Sequence, residues 1–142
     1  MTAVPGPPPG PAQAAGLLTQ RVLDYDETIK RLVAHAGEVG GPIDWSPLAR
    51  FVAVDDFERV GTFLEVQDWH GYTEMLSRWA GATEAFETSV LRVTEVGALV
   101  YYEIEERHLR GDATHVINSM TVFEFDEHRT IRRLRVYLQQ AR

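Results

Sequence analysis

From Leu18 onward the apolar residues recur as Leu18, Val22, Tyr25, Ile29, Leu32, Val33 and Ala36. Steps of three and four put them on one stripe, so the spacing predicts a helix that ends near Gly37. Gly40-Gly41-Pro42 breaks the pattern, and Ser46-Pro47 then supplies a side-chain N-cap followed by a residue whose fixed φ suits a first helical turn. A short second helix carrying Leu48, Phe51 and Val52 is expected there. After Asp55-Asp56 the chain turns β-branched and aromatic, and residues 57–62 and 64–69 read as two strands or one bent hairpin around Gly61. Tyr72, Met75, Leu76 and Trp79 return to helical spacing, with Gly81 placed to end a third helix. Four strands are expected over residues 86–93, 98–109, 114–125 and 130–138, joined by separators short enough for antiparallel hairpins.

The order helix, helix, two strands, helix, four strands predicts an α+β fold. Its curved antiparallel sheet carries three helices packed on its concave face and encloses a conical cavity. Five of the seven prolines fall between Pro5 and Pro11, interleaved with Gly6 and Gly10, so residues 1–16 are expected to be a disordered tail and residues 17–142 a single domain. The first basic residue is Arg21 and no unbroken apolar stretch precedes it, which argues against a secretory signal. With 142 residues there is room for one core rather than two.

Charge and composition narrow the function classes. Fourteen Lys and Arg against twenty-one Asp and Glu give a net charge of −7, so no positive field draws the chain to nucleic acid, and the basic run 129–135 has no stacking row of aromatics beside it. Without cysteine there is neither a disulfide framework nor a thiol nucleophile. No apolar run is long enough to span a bilayer. A cytoplasmic protein with no nucleic-acid or membrane partner is expected. The five histidines show no paired metal-ligand spacing, and phosphate-loop and serine-nucleophile motifs are missing, so neither a metal nor a cofactor is expected.

Strand alternation picks out the polar residues that could do chemistry. Val100, Tyr102, Ile104, Glu106 and His108 share one face, mostly apolar and suited to a cavity wall, while Tyr101, Glu103, Glu105 and Arg107 share the other. Glu106 and His108 stand two residues apart on the first face, where a carboxylate can orient an imidazole for general-base work. The same two residues would also be at home at the wet end of a strand. Asp68 and His70 form a second alternating pair at a strand-to-helix junction, where helix capping is the competing role. Tyr25 lies on the apolar stripe of the first helix, beside Asp24 and Asp26, and its hydroxyl can reach inward. The outer row can be matched with Arg133, Arg135 and Tyr137, so acid and base rows can pair across strands or across a homodimer.

The passage LEVQDWHGYTEML at 64–76, the strand MTVFEFD at 120–126 and the closing IRRLRVYL at 131–138, taken with the element order, resemble the nuclear-transport-factor-2-like superfamily. This superfamily includes ketosteroid isomerases, limonene epoxide hydrolases, scytalone dehydratases and SnoaL-like polyketide cyclases. The resemblance implies the cone fold, a homodimer and a small-molecule ligand. The position of the isomerases' acidic base falls around Glu58 and Arg59, that of their neutral Asp at about Thr121, and that of the Asp on the closing strand of hydrolases and cyclases at Val136. This leaves Glu106, His108, Asp68 and His70 as the acid-base groups, with Tyr25, Tyr102, Ile104, Thr121, Phe123 and Val136 around the ligand. The function expected is a cavity protein for a small, mostly apolar molecule, acting as a cofactor-independent isomerase, dehydratase or cyclase. The alternative is a non-catalytic ligand-binding or dimerisation module.

Overall fold

The stripe from Leu18 forms helix α1, Leu17–Val39, which buries Thr19, Val22, Tyr25, Thr28 and Ile29. The computed structural model describes residues 16–82 and 85–141; all but Gly16 of the tail expected over residues 1–16 lies outside the described residues. Helix α1 runs past Gly37 because Gly40 supplies the left-handed turn: its φ is 72°, and its N–H donates to the Ala36 carbonyl at 2.8 Å. Helix α2, Ser46–Ala49, starts as expected with proline in its first turn. The cap, however, is not Ser46: Asp44 Oδ1 accepts from the Ser46 N–H at 3.0 Å and from its hydroxyl at 2.6 Å.

The expected strands over 57–62 and 64–69 shrink to β1, Glu58–Val60, and β2, Val66–Gln67. Between them Gly61 and Glu65 close a tight turn in which Leu64 takes φ 65° and Phe63 is 86% exposed, so neither side chain is available to a strand face. Trp69 opens helix α3, Trp69–Ala82, rather than ending a strand. The meander follows as β3 (Ala85–Val96), β4 (Leu99–Arg110), β5 (Ala113–Phe125) and β6 (Ile131–Gln140); β3, β5 and β6 are longer than predicted and β4 is shifted by one residue. Gly97 and Gly111, at φ 58° and 63°, sit in the two tightest turns.

The six strands lie in the order β2-β1-β6-β5-β4-β3. The expected antiparallel sheet is mixed, because β1 runs parallel to β6, with Arg59 opposite Leu134. Local hairpin signals cannot reveal that pairing, since parallel neighbours are joined only through a long crossover, here everything from β2 to β5. A bulge between Val90 and Arg92 adds one residue to β3. It keeps Thr88 and Val90 on the concave face before it and Val93 and Glu95 on that face after it, opposite Glu106, Ile104, Tyr102 and Val100. The core lies in this concavity: Val22, Tyr25 and Ile29 of α1, Tyr72 and Leu76 of α3, and Val100, Tyr102, Phe123 and Leu134 of the sheet.

The bulge also anchors α1. Glu95 Oε1 accepts from the Thr19 N–H at 2.8 Å and from the Thr19 hydroxyl at 2.7 Å, satisfying a helix-terminal donor from a strand 76 residues away. Gly16 supplies no side-chain cap, and a Cβ there would come within 2.7 Å of the same carboxylate. Glu95→Ala is expected to cost about 1–2 kcal/mol in urea unfolding. Thr19→Val should add little once Glu95 is gone, and additive costs in the double variant would show that the two groups act separately.

Candidate active site

The concave face and helices α1 and α3 enclose a pocket of about 750 Å³. At its buried end Tyr25, Tyr102, Phe123 and Leu134 meet; its middle is lined by Ile104, Ser119, Thr121 and Val136; its open end reaches Arg110, Thr114, His115 and Gln140. Alternation along β4 and β5 brings these residues to one wall, because the two strands pair without interruption from Leu99 opposite Glu124 to Arg110 opposite Ala113.

Glu106 and His108 meet on that wall, with His108 Nε2 2.9 Å from Glu106 Oε1. Ser119, arriving from β5, donates its hydroxyl to Glu106 Oε2 at 2.8 Å, so each carboxylate oxygen is held. The imidazole is 6% exposed, stacks on Phe86 at 5.5 Å and meets the edge of Trp79 at 6.1 Å. His108 is thus packed among aromatic rings rather than solvated at the strand end. In the tautomer in which Nε2 donates to Glu106, Nδ1 keeps its lone pair, and a proton taken there is stabilised by the carboxylate across the ring.

A second polar group occupies the buried end. The hydroxyls of Tyr25 and Tyr72 are 2.7 Å apart, and the Tyr102 hydroxyl donates to Asp26 Oδ2 at 2.9 Å. Arg59, which also lines the pocket, lies over the Tyr72 ring at 5.8 Å and donates to Gln67 Oε1 at 3.0 Å. Burial pushes the Tyr25 hydroxyl well above the ordinary tyrosine value, and the adjoining Tyr72 adds to the rise. Burial likewise raises Tyr72, against the opposing pull of its bond to Tyr25 and of Arg59. Tyr102 is raised far, by burial first and then by Asp26. All three hydroxyls therefore keep their protons through the neutral range, and Tyr25 bonds another hydroxyl rather than a backbone carbonyl.

Of the residues picked from sequence, Glu106, His108, Tyr25, Tyr102, Ile104, Thr121, Phe123 and Val136 all line this one pocket. Asp68 and His70 do not. Asp68 Oδ1 accepts from the Gly71 N–H at 2.9 Å, which caps α3, and the exposed His70 imidazole lies 3.6 Å from Glu74. Sequence reasoning missed Ser119, Tyr72 and Thr88. Ser119 was within reach, because the turn at Gly111-Asp112 fixes Ile104 opposite Ser119 and so puts the serine diagonal to Glu106. Among the described residues, no group of three or more His, Cys, Asp or Glu converges as a metal site, and no helix is long and apolar enough to cross a membrane.

A curved mixed sheet folded over a long N-terminal helix and a third helix, with its pocket in the concavity, is the cone fold of the nuclear-transport-factor-2-like superfamily, and the chain has this fold. A SnoaL-like polyketide cyclase candidate from Shewanella denitrificans OS-217 superposes with a TM-score of 0.68 at 14% identity, over 87% of this chain and 90% of that one. The epoxide hydrolase/cyclase-like enzyme SalBIII, described for pyran ring formation in the polyether salinomycin, gives 0.66 at 13% identity over 86% and 90%. An NTF2-like protein from Anabaena variabilis ATCC 29413 gives 0.62 at 15% identity over 87% and 92%. No family model matches the sequence, and no curated protein matches it at a significant level.

The raised tyrosines make stability depend on alkaline pH. As pH rises, the unfolded chain loses these protons near the ordinary value of about 10, while the folded chain still holds them. Their contribution is therefore complete below about pH 10 and is lost as the pH rises through the higher folded values. Urea unfolding of Tyr25→Phe between about pH 8 and 11 should show a shallower alkaline decline than the parent. Parallel declines would mean that Tyr25 does not carry the effect.

Proposed function

We propose that the protein is a cofactor-independent acid-base enzyme, of the isomerase, dehydratase or cyclase kind, acting on a small and mostly apolar molecule held in the cone. One observation carries this reading: a carboxylate-imidazole pair, partly buried Glu106 with buried His108, faces a pocket whose other walls are largely apolar. His108 takes a proton from carbon through its free nitrogen, Glu106 stabilises the imidazolium, and the ring returns the proton to another atom of the same molecule. Ser119 keeps the carboxylate from turning away. The cyclase-like and epoxide-hydrolase-like neighbours are in keeping with such chemistry.

The test is deuterium exchange at the α-carbon of 2-tetralone in D₂O, followed by proton NMR. The parent should accelerate exchange by about 10²-fold or more over buffer, and Glu106→Gln and His108→Ala should each remove most of that gain. Exchange at the parent rate in both variants would sink the acid-base pair.

We also propose a homodimer formed through the outer face of the sheet. Tyr137 is 54% exposed and Tyr101 36%, and with Asn118 and Met120 they line a shallow groove of about 460 Å³. Arg92 with Glu103 and Arg133 with Glu124 supply charges of both signs on that face. An apolar patch with a mixed-charge rim suits a self-complementary contact. Sedimentation should give a dimer that Tyr137→Arg dissociates; a parent that stays monomeric at high concentration would end this proposal.

A further inference from the structure

One pocket side chain carries a polar group that the fold leaves without a partner. Thr88 of β3 lies on the concave face directly opposite Glu106, and its hydroxyl oxygen is buried without a hydrogen-bond partner. The two Glu106 oxygens are already engaged by His108 and Ser119. The neighbours of Thr88 on the same strand face are the apolar Phe86 and Val90. A buried hydroxyl without a partner destabilises a fold, whereas valine has the same shape and carries no such penalty. The position is nonetheless threonine, beside the one carboxylate-imidazole pair of the pocket.

We propose that Thr88 positions the ligand: its hydroxyl donates to an acceptor oxygen, as of a ketone or an epoxide, on an otherwise apolar molecule, and so holds the adjoining carbon against Glu106 and His108. The inference rests on the acid-base reading of the pocket and adds to it the substrate class, an apolar molecule with one hydrogen-bond-accepting oxygen. Turning the threonine χ1 by one staggered well moves the hydroxyl into the place of another Cβ substituent, an adjustment that can bring the donor to the ligand without moving the strand. Thr88 acts through orientation and takes no proton itself.

The experiment compares the parent, Thr88→Val and Thr88→Ser in binding 2-tetralone and its 2-methylene analogue, in which a CH₂ group replaces the oxygen. Dissociation constants come from NMR chemical-shift titration. The parent should bind the ketone about tenfold more tightly than the alkene, a preference that Thr88→Ser retains and Thr88→Val reduces to about twofold or less, with alkene affinity unchanged. The melting temperature of ligand-free Thr88→Val should equal or exceed that of the parent, because the substitution removes only an unpaired hydroxyl. An undiminished ketone preference in Thr88→Val, a parent that prefers neither probe or binds neither, or a drop of several degrees in melting temperature would each overturn the inference. The ratio is read at equilibrium without turnover, so the two readings fail separately. A parent that prefers the ketone but exchanges no deuterium fails the acid-base reading, whereas one that exchanges deuterium with a preference insensitive to Thr88 fails this one.

Discussion

The register between β4 and β5 is the constraint on which the rest depends. It pairs the two strands along their whole length and closes at the Gly111-Asp112 turn. Because side chains alternate, a slip of one residue would move Tyr102, Ile104, Glu106 and His108 together to the outer face. Tyr101, Glu103 and Arg107 would then point into the concavity, burying charges without partners. The apolar wall, the histidine sandwich and the contact with Ser119 all follow from that single alignment, and the glycine at φ 63° makes the turn that sets it.

Charge is distributed according to the same two faces. On the outer face Arg107 bonds Glu105 at 2.6 Å and lies 3.5 Å from Glu87, and Arg133 reaches both Glu58 and Glu124. These exposed pairs contribute little each, but they set charge of both signs around the aromatic residues of the outer face. Inside, the two pocket carboxylates each have defined partners: Glu106 with His108 and Ser119, Asp26 with Tyr102 and Lys30. An acidic chain thus keeps its pocket nearly free of uncompensated negative charge.

Much of this was legible in the sequence because it depends on local period. The stripe of α1, the spacing of α3 and the two-residue alternation of β4 gave the elements, the concave face and the Glu106-His108 pair directly. What stayed hidden depends on contacts between distant segments. The parallel pairing of β1 with β6 has no local signature, and β1 and β2 are too short to impose a period of their own. The capping of α1 by Glu95 spans 76 residues and works only because a bulge turns that side chain inward. Asp68 and His70 misled for the opposite reason: polar residues at a helix start look alike whether they serve a ligand or the helix's own N–H groups, and here Asp68 serves the helix.

The pocket's long axis follows the strands, and this has a consequence for molecular size. Concave residues recur every second position, so Phe123, Thr121, Ser119, Ile117 and His115 are spaced like graduations about 6.8 Å apart from the floor of the cone to its rim. Such a wall measures length: a molecule lying along it would be sorted by how many graduations it covers, and under the acid-base proposal its reactive atom would meet Glu106 and His108 only if the portion below them fits between the floor and the fourth or fifth mark, Ile117 and His115, which those two residues face.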